Sequence, residues 1–399
     1  MRGAVPNAAD LSQGWFAALM APLGPFPAAA RMVAGVSGGP HSLALFLLLR
    51  GWGADIRPVI VDHGLRSESG AEADHVAVML AGQGASPRVM RLRLAGGAGL
   101  QARARQARLA ALTGVAAEEG RPWIALGHHS QDQAETILLR LEAGSGEVGL
   151  AGMAAGRAMR DALLIRPLLS VPPARLEAVV AAAGLVPIRD PSNDDPRFAR
   201  IRARSALTPV FAGALLATAK ERARRRAYLE REMAARLAES GTVRPEGYAT
   251  LDRATLGTDD VACAALAALI RIVGGGEYAP GGGAVRGLLA RGSGSLGGAV
   301  LAASGVLTRE VASLAPPLPA ETGCVWDNRW RLNRGAAGCA VGPLGTAMRA
   351  RHLPAAVVAG LPALWRDGTL VAAPALGYAQ EAGLAQHLFT FEPMSGPMP

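Results

Sequence analysis

Of the 41 basic side chains in this 399-residue chain, all but Lys220 are arginine. That scarcity of lysine excludes the common Walker phosphate loop, G-x-x-x-x-G-K-[ST], since no lysine lies near a glycine loop. Cysteine is nearly as scarce. Cys263, Cys324 and Cys339 are odd in number, widely spaced and form no C-x-x-C, which argues against a disulfide framework, a structural zinc site or an iron–sulfur cluster and fits a reducing cytoplasm. Long apolar runs are missing too: none approaches the roughly 18–20 residues that span a bilayer. Met1–Pro27 lacks the charged start, apolar middle and small-residue cleavage pattern of an export signal. A soluble, cytoplasmic protein with no membrane partner is expected.

What is present is a net charge of +9 and a hydrophobic half, enough apolar area for real cores and too much chain for one small module. Arginine keeps its charge and grips phosphate through a planar fork of donors, so a polyanionic partner is one reading; a GC-rich genome that favours Arg, Ala and Gly is the other.

From Arg31 to about Leu207, short apolar runs alternate with helical ones, the signature of an α/β domain with a parallel, doubly wound sheet. Strands are expected at Met32–Val36, Ile56–Val61, Pro87–Leu92 and Trp123–Leu126, and helices at Leu43–Leu49, Ala71–Leu80 and Gln101–Ala117, where apolar residues recur every three or four positions. Ala212–Ala238 predicts one long helix or two and opens a helical region. Gly274–Gly283 and Gly292–Gly298 read as flexible breaks. Cys324–Leu332 and Thr369–Ala373 read as strands of a small α+β domain. The expected division is an N-terminal extension over 1–27, a catalytic domain over 28–210, a helical domain over 211–315 and a C-terminal domain over 316–399.

The strongest local signal is Ser37-Gly38-Gly39-Pro40-His41-Ser42, between the first strand and the first helix. Adjacent glycines permit a tight turn and close approach, while two hydroxyls and free N–H groups at a helix start make an anion cradle. Ser-Gly-Gly is also an ordinary turn; position favours function. Asp62-His63 follows the second strand, His128-His129-Ser130-Gln131-Asp132 follows the fourth, and Arg103, Arg105 and Arg108 lie on the helix between. Ligands bind beyond the carboxyl ends of parallel strands, so these loops should converge on one crevice. Each has a bland alternative: the histidines could serve a loop, Asp132 and Glu135 could merely favour a helix dipole, and the arginines could be a solvated face.

With these residues in place, the chain resembles the tRNA(Ile)-lysidine synthetases, N-type ATP pyrophosphatases of the PP-loop class that carry an S-G-G-x-D-S loop. The likeness runs from Val33 to about Leu207 through Ser37–Ser42, Asp62–Arg66, Ala104–Arg108 and His128–Thr136. It continues through Gly149–Met153, Arg166-Pro167-Leu168-Leu169 and Asp190-Pro191-Ser192-Asn193. Two departures stand out: His41 occupies the place of the loop aspartate, and Gln131 precedes Asp132 where an aspartate is usual. Each removes a carboxylate that could have served Mg²⁺.

The resemblance implies ATP and Mg²⁺ as cofactors, free L-lysine as co-substrate and the CAU-anticodon isoleucine tRNA as partner, in a monomer or homodimer. Cytidine 34 is adenylated at its C2 oxygen with loss of pyrophosphate; the lysine ε-amine then displaces AMP to give lysidine. In that picture Ser37, Gly38, Gly39, Pro40, His41, Ser42, Asp62 and His63 bind ATP. Arg105 or Arg108 offsets charge at the phosphate, Asp132 binds Mg²⁺ or receives the lysine ammonium with Glu135 in support, and His129 carries a proton. Arg197, Arg200, Arg202, Arg204, Arg224 and Arg225 contact tRNA. A tRNA thiolase is the rival enzyme, poorly served by cysteines absent from Val33–Leu207. A catalytically silent nucleotide- or tRNA-binding protein is the alternative suggested by His41 and Gln131, and His41 suggests loss of activity below roughly pH 6.5, the ordinary imidazole pKa.

Overall fold

The computed structural model describes residues 13–66, 68–93, 97, 99–159, 161–188, 199–384 and 387–393. The chain forms two compact units, residues 1–226 and 227–399. In the first, the elements run α1 (Gln13–Met20), β1 (Arg31–Gly35), α2 (Pro40–Gly51), β2 (Asp55–Asp62), α3 (Ser69–Gly82), β3 (Arg88–Arg91), α4 (Leu100–Glu118), β4 (Trp123–Leu126) and α5 (Ser130–Glu142). Then come α6 (Glu147–Leu150), β5 (Gly156–Ala158), β6 (Leu163–Ile165), α7 (Pro173–Ala182), α8 (Ala199–Ala206) and α9 (Pro209–Ser240), whose last part, from Ala227, belongs to the second unit. The four expected strands and three expected helices are all present.

The six strands form one sheet in the order β3-β2-β1-β4-β6-β5, parallel except for the antiparallel edge strand β5. Strand residues alternate between faces. Met32 and Ala34 of β1 join a core with Leu43, Phe46 and Leu49 of α2, Val76 and Leu80 of α3, and Leu176 and Val180 of α7. Val33 faces the other way, against Leu112, Val115 and Ala116 of α4. The sheet is therefore wound on both sides. Because β2 lies on one side of β1 and β4 on the other, the chain reverses direction across the sheet at β1 and β4, which is where open α/β sheets bind ligands beyond the strand ends.

Residues 13–27, set apart in the sequence as an extension, pack into this core: Phe16 and Met20 are fully buried, Phe26 meets the rings of Trp52 and Trp123, and Arg175 lies 3.9 Å over the ring of Trp15.

The second unit departs from the expectation of a helical region. After α9, a single helix through Ser240, five short strands at Gly241–Val243, Ala249–Leu251, Gly294–Leu296, Ala299–Leu301 and Val306–Arg309 make an antiparallel sheet beside the helices Asp260–Val273 and Gly282–Arg291. Gly292–Gly298, read as a flexible break, holds one of those strands and the tight turn Gly297-Gly298, both glycines at positive φ. Strands of three or four residues are too short to give a readable alternation. Strands at Val325–Trp326, Trp330–Leu332 and Thr369–Ala373 lie where the sequence placed them.

Candidate active site

The loop Ser37–Ser42 joins β1 to α2. Gly38 adopts φ +83°, and a Cβ there would collide with Val76 and meet Ile188 Cδ1 at 3.3 Å, so only glycine fits. Gly39 caps α2 and Pro40 opens it, where a missing N–H costs nothing. Ser42 Oγ accepts the Ser37 N–H (3.2 Å) and donates to the Gly39 carbonyl (2.9 Å), while Ser37 Oγ stands 3.3 Å away. The loop is thus shaped by its own hydroxyls, and it leads into the first turn of a twelve-residue helix, whose N–H groups suit an anion.

Strand β4 brings the second loop alongside. A Cβ on Gly127 would lie 2.8 Å from the His41 carbonyl oxygen, so the glycine lets the two loops touch. The rings of His41 and His129 meet edge to face with centroids 4.0 Å apart. His129 caps α5: its Nδ1 accepts the Gln131 N–H (3.2 Å), and its own N–H donates to Asp132 Oδ2 (3.0 Å). Burial pushes the His129 pKa down to about 4, with Asp132 opposing and His41 and Arg204 assisting. An imidazole that accepts a backbone N–H through Nδ1 and resists protonation serves as a cap, and its Nε2 stands 3.4 Å from Asp132 Oδ2.

Glu135 is fully buried one turn further along. Its Oε1 accepts from Arg204 Nε of α8 at 2.7 Å, and Oε2 has no hydrogen-bond partner. Burial raises its pKa, with Asp132 adding to the effect and Arg204 and Arg200 opposing it. At the end of β2, Asp62 accepts from Ser69 Oγ (2.6 Å) and Gly64 N–H (2.9 Å). Burial works to raise its pKa, but these bonds outweigh it and hold it low. Burial and Arg108 lower the pKa of His63.

Facing these loops is a basin of arginine drawn from four elements: Arg105 and Arg108 on α4, Arg157 on β5, Arg166 just past β6 and Arg200 on α8. Lost hydration in the cleft lowers the Arg105 pKa although that side chain still reaches solvent. Arg200, Arg108 and Arg157 lower it further, with Asp132 opposing them. Burial, then Arg200, depress Arg108, again against Asp132. Arg166 is 5% exposed, its Nε has no partner, and burial followed by Arg105 and Arg157 brings its pKa down to about 10. The same field, with burial as the larger cause, drives His128 to about 3. Arg105, Arg108 and Arg157 make no hydrogen bond or ion pair among the described residues. Arginines this close, depressing one another, are a site short of anions.

A family of ATP pyrophosphatases implies a divalent cation, and the donor set admits one of a particular kind. Among the described residues no three His, Cys, Asp or Glu side chains gather as a ready-made cage. Magnesium held chiefly by phosphates and water needs only one or two carboxylates. Asp132 offers one: Oδ2 is used by the cap, and Oδ1 takes no hydrogen bond among the described residues.

These features coincide with what the chain is similar to. A model of the PP-loop domain matches residues 13–211. The chain is 35% identical over 388 residues to the tRNA(Ile)-lysidine synthase of Ruegeria pomeroyi, covering 88% of this chain and 89% of that one. This chain belongs to the tRNA(Ile)-lysidine synthase family. A second member, from Novosphingobium aromaticivorans, is 46% identical over 186 residues, covering 46% of this chain and 57% of its own, so that match spans little more than half of the relative. Among solved structures, the U34-tRNA thiolase of Methanococcus maripaludis superposes with a TM-score of 0.47 at 16% identity, covering 55% of this chain and 82% of that one. PP-loop membership implies use of ATP.

Of the residues singled out in the sequence, the structure brings together Ser37–Ser42, Asp62, His63, Arg105, Arg108, His129, Asp132 and Glu135. Arg200 and Arg204, assigned to tRNA contact, instead turn toward α5: Arg204 pairs with Glu135 and Arg200 Nη2 lies 3.5 Å from Thr136 Oγ1. Arg202 is exposed on α8. Arg224 and Arg225 stand well out from α9, 70% and 74% exposed, and among the described residues pair only with Glu221 on their own helix. Arg197 and the Asp190–Asn193 turn lie outside the described residues. Arg157 and Arg166 had no assigned role; the Arg-Pro following an apolar strand at Arg166 was the available signal. No helix among the described residues is long and apolar enough to cross a membrane.

Proposed function

We propose that this chain carries out the reaction for which its relatives are named: ATP-dependent joining of lysine to C2 of cytidine 34 in tRNA(Ile). The observation that supports it most directly is the arginine basin beside Asp132 and next to the Ser37–Ser42 loop, an arrangement suited to a triphosphate and to charge that builds at its α-phosphorus. In the first step the cytosine C2 oxygen attacks the α-phosphorus and the bond to pyrophosphate breaks. In the second, the lysine ε-amine attacks C2 and AMP leaves with the oxygen, the amine proton passing to solvent or a carboxylate.

The loop N–H groups and the Ser37 and Ser42 hydroxyls hold the β,γ-phosphates. Arg105 and Arg108, already gathered beside Asp132, favour the charged transition state over the ground state. Asp132 holds Mg²⁺, which when bound neutralises phosphate charge, and it attracts the lysine ammonium. Glu135, locked to Arg204, supports Asp132 from one turn below rather than touching substrate. Residues 28–210 form the catalytic part; the exposed Arg202, Arg224 and Arg225 contribute backbone contacts to tRNA, which supply affinity without base choice.

The test is AMP release in the presence of tRNA(Ile), lysine and ATP, repeated with Asp132→Ala. Release that requires both co-substrates and falls at least ~100-fold in the variant agrees with the reading. ATP binding with no AMP under any Mg²⁺ concentration would instead favour a silent binding module.

A further inference from the structure

His41 is the residue in which this chain's loop departs from the family pattern, and its surroundings are particular. Its Nε2 is buried without a hydrogen-bond partner and lies 3.8 Å from Glu177 Oε1 of α7. Its ring edge rests on His129. His129 in turn is fixed from three sides: it accepts the Gln131 N–H through Nδ1, its own backbone N–H donates to Asp132, and its Nε2 stands 3.4 Å from Asp132 Oδ2. The charged groups facing His41 are Asp132 of α5, Glu177 of α7 and Arg204 of α8. Glu177, Asp132 and the two imidazoles therefore form a continuous chain linking α7, the N-terminus of α2 and the N-terminus of α5.

A neutral imidazole can carry its proton on either nitrogen, and the neighbour of each nitrogen decides which. A carboxylate facing Nε2 selects the Nε2–H form, leaves Nδ1 as an acceptor and fixes the plane of the ring. The ring plane sets the edge-to-face contact with His129, and His129 is the cap from which Asp132 is hung. Glu177 is half-exposed and makes no other ion pair among the described residues, so its carboxylate is not needed to hold α7 in place.

We propose that Glu177 is a positioning residue of the nucleotide site: its carboxylate orients the imidazole of His41, and through the stacked His41–His129 pair it holds Asp132 in register with the Ser37–Ser42 loop. A loop that lacks its own carboxylate thereby borrows one from α7. This inference rests on the reading of the loop and Asp132 as the ATP site.

Two measurements on Glu177→Ala and Glu177→Asp test it. The first is ¹⁵N NMR of the seven histidines, with the His41 signals identified as those missing from His41→Asn. In the wild type His41 shows the Nε2–H tautomer; in Glu177→Ala it shows a mixture of the two neutral forms, and Glu177→Asp restores part of the shift. The second is the dissociation constant of ATP with Mg²⁺, expected to weaken roughly tenfold in Glu177→Ala and less in Glu177→Asp, with KM for ATP rising more than kcat falls. An unchanged His41 tautomer in Glu177→Ala, or equal ATP affinity in wild type and variant, overturns the proposal. A wild type that binds no ATP would sink the nucleotide reading, while the tautomer measurement would still judge the Glu177–His41 link.

Discussion

At the scale of single residues, the site is governed by positive charge, of which Arg105, Arg108 and Arg157 have no ion-pair partner among the described residues. Arg108 is half-buried, unpaired among the described residues and depressed first by burial and then by Arg200, which on the proposed reading leaves its guanidinium free for an incoming anion. Arg108→Ala is expected to lower kcat of AMP formation by ~100-fold or more, the usual cost of removing one fixed donor to a developing charge, with stability changed by less than about 1 kcal/mol. Chemical denaturation and initial rates on one preparation check both. The same field determines the acid side of the rate profile. His41, His63, His128 and His129 all titrate below an ordinary imidazole, burial being the first cause in each. Each is neutral at pH 7 and gains charge only as pH falls through its lowered pKa. The fall of kcat/KM is therefore centred below the ordinary imidazole value of about 6.5, lower than the sequence alone suggests for His41; a limb centred at or above 6.5 would contradict this. The Ser37–Ser42 loop and Asp132 were legible because local patterns mark them. Arg157, Arg166 and Glu177 were not, because their importance comes from neighbours as far as 136 positions away (His41 to Glu177) that only the fold brings near.

Among the elements, the sheet separates chemistry from support. At the ends of the strands opposite the loops, Glu119 joins the close of α4 to β2: its Oε2 accepts from Arg57 Nε (2.9 Å) and Arg121 Nε (2.8 Å). Burial alone would raise the Glu119 pKa, but Arg57 and Arg121 outweigh it and the group titrates low. A carboxylate with a lowered folded pKa contributes stability above its unfolded pKa and loses it as pH falls through the folded one. Glu119→Gln should therefore cost about 1–2 kcal/mol at pH 7, shrinking toward zero in acid, with ATP affinity untouched. An equal cost at pH 7 and pH 3 would refute the ionic origin. Helix α1 makes a second case. Phe16 is 2% exposed within the main core, so Phe16→Ala should destabilise the first unit by about 3–4 kcal/mol, measured by urea unfolding; a loss under 1 kcal/mol would mean that α1 is only appended. The sequence reveals such strands as Ile56–Val61 through contiguous apolar residues. It hides the three-residue strands of the second unit, and it hides the docking of α1, because a short helix hydrophobic enough to be buried carries no sign of where it packs.

For the whole molecule, the two units are built on different principles, and one variant separates them. In the second unit, Asp327 accepts from Arg309 Nε (3.0 Å), Arg309 Nη2 (2.8 Å), Arg329 Nε (2.8 Å) and the Ala315 N–H (3.0 Å), and the Arg329 side chain is 1% exposed. Asp327→Ala leaves a buried guanidinium without its counter-charge, a loss of about 3–5 kcal/mol. Calorimetry should show a transition of the second unit moved down in temperature while ATP affinity of the first stays as it was; an unaltered melting profile would contradict the role given to Asp327. The account as a whole stands on a triphosphate lying between the loop, Asp132 and the arginine basin while a cytidine is activated there. The most direct measurement is mass analysis of the nucleosides of tRNA(Ile) bearing a CAU anticodon after incubation with the protein, ATP, Mg²⁺ and lysine. The account predicts lysidine in place of cytidine 34, with one AMP formed per modified tRNA; an unmodified cytidine alongside protein that demonstrably binds both ATP and the tRNA would contradict it.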